Sequence, residues 1–138
     1  MSLARLTFPT KKIEELPFLK GKQLEFESMA EMITVRAQEQ PHTVHVYYYD
    51  QVITYRQTNE RANKVANYLK EKGVKKGDIV AVMVLNSPEV YYTMFGAQKL
   101  GAIALAVNYM LKGPEIAYVL DDAKPKVAFV SSEFMADF

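Results

Sequence analysis

The hydrophobic pattern in the first half of the chain changes twice. Apolar side chains recur at helical spacing over residues 25–39, which predicts an amphipathic helix that ends before Pro41. Apolar and polar side chains then alternate, and a two-residue turn at Asp50-Gln51 separates two such runs. This alternation predicts an antiparallel β-hairpin over about 44–54.

The segment after the hairpin carries signals for both the start and the end of a helix. Thr54 and Gln57 have the spacing of a capping box, in which each side chain accepts a hydrogen bond from the other residue's backbone N–H. Apolar side chains follow one face as far as Leu69, and Gly73 suits the left-handed residue that ends many helices. These signals predict a helix over about 55–72.

Short apolar runs and helical segments alternate in the second half of the chain. Runs without polar residues are typical of strands covered on both faces. Pro88 and Pro114 each mark the first turn of a helix, and Ser87 stands at an N-cap position. The alternation predicts a parallel sheet. The predicted strands are about 79–85, 102–107 and 126–131, and the predicted helices are about 88–100 and 114–122.

The predicted fold class is therefore α/β. It consists of a three-stranded parallel sheet with flanking helices and an N-terminal antiparallel hairpin. Residues 1–23 contain Pro9, Pro17 and Gly21 among scattered lysines, and they are predicted to form an irregular N-terminal arm. The folded unit is predicted to cover 24–138.

Composition excludes several classes of protein. The 138 residues are 49% hydrophobic, which allows a sizeable core, and the net charge of +1 gives no general attraction to nucleic acid. The chain has no cysteine, so no disulfide framework or Cys-based metal site is expected. No apolar run approaches the roughly 20 residues of a transmembrane helix, and no secretory signal is apparent. A cytoplasmic protein without a transmembrane segment is expected.

No catalytic or metal-binding constellation is predicted from the residues themselves. His42 and His45 lie three positions apart near a strand start, without a carboxylate cluster beside them. Gly96 and Gly101 have the spacing of a phosphate loop, but no Lys-Ser/Thr pair follows them. Both fall inside or at the end of a predicted helix, which favours a structural role. The serines lack an elbow motif or a histidine partner, and Ser87 is interpreted as a helix cap.

One pointer to function is positional. Ligands of open parallel sheets bind beyond the carboxyl ends of the strands. Those ends carry Asn86-Ser87 and Asn108-Tyr109 in the predicted sheet. The alternative is that both asparagines only make hydrogen bonds within turns and caps.

Several short phrases occur in an order that resembles the N-terminal segment of acyl-adenylate-forming (AMP-binding) enzymes. The branch that the chain resembles most is that of the acyl-CoA synthetases, or long-chain-fatty-acid–CoA ligases. Each phrase is weakly specific alone, and their order and spacing carry the resemblance over about residues 26–131. The phrases are Thr54-Tyr55, Gly77-Asp78, Asn86-Ser87-Pro88-Glu89, Lys99-Leu100-Gly101-Ala102, Val107-Asn108-Tyr109-Met110-Leu111 and Glu115-Ile116-Ala117-Tyr118-Val119-Leu120.

The resemblance implies that 24–138 is part of the large N-terminal domain of a two-step ligase. ATP with Mg²⁺ would activate a fatty or other hydrophobic carboxylic acid as an acyl-adenylate, and CoA would then displace AMP. The family's Ser/Thr/Gly-rich phosphate loop and catalytic lysine lie further along, and no such loop occurs in these 138 residues. The chain by itself is therefore predicted to be inactive and to hold no cofactor. Only Asn108 and Tyr109 are expected near the CoA or acyl channel.

Two alternatives remain open at this stage. The chain is either the N-terminal piece of such a ligase or a stand-alone α/β binding module without catalysis. A reading frame that continues into a Ser/Thr/Gly-rich loop would favour the first.

The segment 105–108 lacks the Pro and Asp that peptide-synthetase domains carry there, and the missing proline also departs from the acyl-CoA synthetases. Apolar strands that three helices cannot fully cover predict self-association of the isolated chain.

Overall fold

The structure is a computed structural model that describes residues 25–136 and Phe138. The predicted arm over 1–23 lies outside the described residues. The described chain alternates helices and strands in the order that the sequence predicts. The elements are α1 Met29–Glu39, β1 Val44–Tyr48, β2 Gln51–Thr54, α2 Tyr55–Glu71, β3 Ile79–Met83, α3 Pro88–Lys99, β4 Ile103–Ala106, α4 Gly113–Ala123, β5 Val127–Val130 and a 3₁₀ helix Ser132–Phe134.

Strands β3, β4 and β5 form a parallel sheet in the order β4–β3–β5. Val80 in the central strand pairs with Ala104 on one side and with Val127 on the other. The predicted α/β class and the parallel sheet are therefore confirmed. Each strand is two residues shorter than predicted: β3 loses two residues at its carboxyl end, and β4 and β5 each lose one residue at both ends.

Helices cover both faces of this sheet. On one face, α2 and α3 bury an apolar cluster that includes Leu69, Val80 and Ala97. On the other face, α4 contributes Ile116 to a cluster with Met83 of the central strand. The first helix, α1, lies outside α2 and α3, and its Ile33 belongs to a third cluster with Ala62 and Phe95.

The hairpin β1–β2 is antiparallel, as predicted, but its turn differs from the prediction. Val46 pairs with Ile53 and Tyr48 pairs with Gln51, so the turn residues are Tyr49 and Asp50 rather than Asp50-Gln51. A shift by one residue would move every side chain of a strand to the opposite face. The observed register keeps Ile53 buried, and Tyr49 has a left-handed φ of 51°.

Local capping sets the ends of the helices. The Ser28 hydroxyl accepts from the Glu31 backbone N–H at 3.0 Å, so α1 begins at Met29, later than the predicted residue 25. The predicted capping box of α2 is present: Thr54 N–H donates to the Gln57 side chain at 2.9 Å, and Gln57 N–H donates to the Thr54 hydroxyl at 3.3 Å. Gly73 ends α2 with a φ of 75°, as predicted.

Candidate functional site

The carboxyl ends of the three parallel strands meet at one edge of the sheet. Asn86 and Ser87 follow β3, Asn108 and Tyr109 follow β4, and the 3₁₀ helix follows β5. Within the part of the chain that the structure describes, both polar pairs that the sequence predicts lie at this end of the sheet, although each follows a different strand. The same end adds a third segment that sequence reasoning did not select. The polar run Ser131-Ser132-Glu133 after the last strand is the signal that could have identified it.

An open cleft of about 580 Å³ lies at this edge, between the ends of β3 and β5. The chain leaving β3 enters α3, which packs on the face of the sheet with Val80. The chain leaving β5 reaches Phe134, which packs on the opposite face with Met83. The two segments diverge, and a crevice opens between them, as at ligand sites of doubly wound sheets. Its apolar and aromatic wall consists of Tyr48, Val65, Val84, Leu85, Tyr92, Phe129 and Val130.

The polar lining of the cleft is acidic or neutral. Glu89 and Glu133 both line it, and no lysine or arginine does so among the described residues. Ser87 also lines the cleft, and its hydroxyl makes no capping hydrogen bond to α3. The predicted N-cap position is correct, but the expected side-chain bond is absent. This lining suits an uncharged, largely apolar group, because carboxylates repel phosphates and other anions.

Tyr92 is a buried residue that lines the cleft. Burial raises the pKa of this phenol, while the nearby Arg61 opposes that rise. The Arg61 guanidinium lies 5.1 Å from the centre of the tyrosine ring, and its Nη1 is 3.4 Å from the phenolic oxygen. The phenol therefore stays protonated at neutral pH and can donate or accept a hydrogen bond.

The predicted pair Asn108 and Tyr109 lies in the turn after β4. The Asn108 side-chain oxygen accepts from the Met110 backbone N–H at 2.9 Å, and the Tyr109 ring stacks on Phe134 with 5.4 Å between ring centres. This stack joins the turn after β4 to the segment after β5. Asn108 and Tyr109 thus stabilise the edge, and Asn108 is exposed. Their expected place beside a CoA or acyl channel stays a prediction.

The two histidines are far from a metal-binding arrangement. His42 is exposed, whereas His45 lies against the rings of Tyr55 and Tyr91, with ring centres 4.9 and 5.3 Å away. Its Nδ1 is 3.0 Å from the Thr58 hydroxyl, and burial lowers its pKa. No group of three or more potential metal ligands occurs among the described residues. His45 therefore packs the hairpin onto α2 and α3.

Comparison with known proteins identifies the family. The family model for the AMP-binding enzymes matches residues 33–137. The chain belongs to the AMP-binding enzyme family. The resemblance drawn from the sequence phrases is thereby confirmed.

Curated and solved relatives in the AMP-binding family act on different acids. The chain is 43% identical over 75 residues to long-chain-fatty-acid–CoA ligase FadD13 of Mycobacterium tuberculosis, covering 54% of this chain and 15% of that protein. It is 30% identical over 110 residues to the fatty acid–[acyl-carrier-protein] ligase ScoC of Streptomyces coeruleorubidus, covering 80% and 21%. A crystal structure of the anthranilate CoA ligase AuaEII with anthranoyl-AMP matches at a TM-score of 0.74 and 34% identity, covering 78% and 21%.

The chain thus spans about a fifth of the length of these AMP-binding relatives. ATP and Mg²⁺, which the family implies, do not fit the described residues. The cleft offers carboxylates where phosphates would need cations, and no cluster of metal ligands is present among the described residues. Gly96 lies inside α3 and Gly101 follows its end, so neither presents a helix N-terminus to a phosphate. No helix in the described part of the chain combines the length and hydrophobicity needed to cross a membrane.

Proposed function

We propose that this chain is the amino-terminal part of an ATP-dependent acid–thiol ligase. In the complete enzyme, a carboxylate is converted to an acyl-adenylate with release of pyrophosphate, and a CoA thiol then takes the acyl group with release of AMP. The observation that carries the proposal is the family match over residues 33–137, together with the shared fold at a TM-score of 0.74.

A fatty or other hydrophobic carboxylic acid is the proposed substrate class. The names of FadD13 and ScoC, both fatty-acid ligases, support it. The anthranilate CoA ligase is similar at 34% identity, so an aromatic acid is the alternative that a substrate test must include. For the thiol, CoA is proposed over an acyl-carrier protein because the sequence phrases resemble the acyl-CoA synthetases most.

These 138 residues alone are proposed to be inactive. The acidic cleft and the lack of a Ser/Thr/Gly-rich loop in the sequence leave the chain without a group that binds the phosphates of ATP. An ATP–pyrophosphate exchange assay tests this on the purified chain with fatty acids and anthranilate. No carboxylate-dependent exchange above background is expected, and clear exchange with any acid would refute inactivity.

The same assay on a longer chain tests the ligase proposal. The reading frame would be extended through the next Ser/Thr/Gly-rich loop and the C-terminal lysine region. Carboxylate-dependent exchange is expected there, with fatty acids preferred over anthranilate. An extended, folded chain that exchanges with no carboxylate would contradict the proposed function.

The isolated chain is also proposed to self-associate. Within the described residues, β4 and β5 are edge strands of the parallel sheet, and Ile103 on β4 is 54% exposed. Met110, which precedes α4, is 72% exposed, and Tyr118 on α4 is 67% exposed. Unpaired strand edges and exposed apolar side chains favour contact with a second copy.

A further inference from the structure

Lys99 at the end of α3 reaches across to the outer helix α1. Its Nζ donates a hydrogen bond to the Thr34 hydroxyl at 2.6 Å. That hydroxyl in turn donates to the backbone oxygen of Ala30 at 2.8 Å. The Asn59 side-chain oxygen is a second acceptor, but it lies farther from the hydroxyl, at 3.5 Å. The hydroxyl proton is therefore engaged by the nearer Ala30 oxygen, and the Lys99 amine donates to a lone pair of the hydroxyl oxygen.

No carboxylate neutralises Lys99 among the described residues. Ion pairs among these residues include those of Arg36 with two glutamates and of Lys126 with Asp78. Lys99 is half-buried between two helices, and this burial lowers its pKa. A hydroxyl stabilises an ammonium less than a carboxylate does, so a larger fraction of Lys99 is an uncharged amine than for a solvated lysine.

The position of Lys99 separates it from the cleft. Helix α3 starts at the carboxyl end of β3 and returns to the start of β4. Its last residue therefore lies at the amino ends of the strands, whereas the cleft lies at their carboxyl ends. The backbone there is tied by a hydrogen bond of 2.9 Å from Gly77 N–H to the Gly101 oxygen. Chemistry at Lys99 therefore leaves the cleft lining untouched.

We propose that Lys99 is a site of covalent Nε-acylation by activated acyl groups, namely acyl thioesters and acyl-phosphate anhydrides. Uncharged lysine amines are effective nucleophiles. The amine lone pair attacks the acyl carbonyl carbon, the carbon–sulfur or carbon–oxygen anhydride bond breaks, and the thiolate or phosphate leaves with the electron pair. The surplus amine proton passes to solvent. The resulting amide keeps one N–H for the Thr34 hydroxyl, and the half-buried charge is removed.

That these donors arise beside the chain rests on the proposed ligase function, but the reactivity of Lys99 does not. The test therefore supplies acetyl-CoA or acetyl phosphate directly to the folded chain, without ATP or a fatty acid. Acetylation of each lysine is measured by peptide mass spectrometry at several pH values. Lys64 and Lys70, both exposed on α2, are the internal references.

At neutral pH, Lys99 is expected to react at least about threefold faster than the references, because its larger fraction of uncharged amine outweighs the lower nucleophilicity of a less basic amine. Its rate is also expected to level off at a lower pH than theirs. Both differences are expected to vanish in denaturing urea. Faster acetylation of Lys99 than of Lys64 and Lys70 with either donor supports the proposal and identifies the donor class. Equal or slower reaction of Lys99 with both donors would overturn it.

Substitutions at Thr34 test the physical cause. Thr34→Asp supplies the missing carboxylate, so Lys99 acetylation is expected to fall to the reference rate or below. Thr34→Val removes the same hydroxyl without adding charge, and the preference for Lys99 is expected to persist. Circular dichroism of both variants checks folding. If folded Thr34→Asp reacts at Lys99 as fast as the unmodified sequence, the proposed mechanism is wrong.

Discussion

At the scale of single residues, the contact between α2 and α3 depends on Gly96. A Cβ atom at this position would lie 2.6 Å from Val65 Cγ1, 2.7 Å from Val65 Cβ and 3.0 Å from the Ala62 backbone oxygen. Such distances are too short for non-bonded atoms, and a branched side chain and a backbone oxygen cannot easily move away. Gly96 is therefore needed for close helix packing, and the phosphate-loop spacing with Gly101 is incidental.

Gly96→Ala is expected to destabilise the chain by about 1–2 kcal/mol, because overpacking outweighs a gain of roughly 1 kcal/mol in helix propensity. Gly113→Ala is the matched control, since its Cβ would meet nothing within 4 Å. Urea unfolding of both variants gives the comparison. Equal free energies of unfolding for the two variants would show that α2 and α3 can shift enough to accommodate the added methyl group without loss of stability.

His45 gives the stability of the chain a pH dependence. Burial lowers its pKa in the folded state from 6.5, so the unfolded state binds the proton more readily. His45 makes its full contribution to the free energy of unfolding at pH values above the pKa of the unfolded state. That contribution is lost as the pH falls from there through the lower pKa of the folded state.

His45→Phe is therefore expected to flatten the decline of stability on acidification, measured by urea unfolding between about pH 5 and pH 8. His42→Phe, at an exposed position without a metal site, is the control and is expected to retain the decline. An unchanged decline in His45→Phe would assign the acid sensitivity to other groups.

At the scale of elements, α2 and α3 begin with similar sequence signals and different structures. Both have a hydroxyl residue at the N-cap, but only Thr54 makes the side-chain bond, within its capping box with Gln57. Ser87 at the start of α3 makes no such bond. The two hydroxyls should consequently contribute differently to stability.

Thr54→Ala is expected to lower the free energy of unfolding by about 1 kcal/mol, because it leaves the Gln57 N–H without its acceptor. Ser87→Ala removes the same kind of hydroxyl and is expected to cost less than about 0.5 kcal/mol. Thermal or urea unfolding measures both. A cost at Ser87 equal to that at Thr54 would indicate that the Ser87 hydroxyl has a partner in solution.

At the scale of the whole molecule, the parallel sheet of the described chain has a buried central strand, and its edge strands lack a neighbouring strand on one side. The central strand β3 is buried almost throughout, while the edge strand β4 is partly exposed. The matched residues make up 21% of each of these two relatives, so comparable strands within them belong to a larger fold. The edges are where the isolated chain is expected to meet a second copy.

Sedimentation equilibrium at micromolar concentration is expected to give a mass above that of the 15.7 kDa monomer. Ile103→Lys places a charge on the β4 edge and is expected to weaken the association. Asn63→Lys adds a lysine at an exposed site on α2 and serves as the control for net charge. A clean monomer in the unmodified chain would reject self-association.

Local signals in the sequence determined the helices and strands, and most of their ends to within one residue. The Thr54–Gln57 box and the Gly73 stop act over three or four residues, so the sequence alone suffices to find them. The hairpin turn was misplaced by one residue because its register depends on burying Ile53 against other elements. The family was also recognisable from ordered phrases along the chain.

Only the tertiary structure decided which distant residues meet. Strand order β4–β3–β5 arises because the chain crosses the sheet through α4, and the cleft exists because the segments after β3 and β5 leave toward opposite faces. Lys99 and Thr34 are 65 residues apart in sequence, and their contact requires α1 to pack on α3. Such contacts depend on the burial of whole helix faces, which no local pattern of residues specifies.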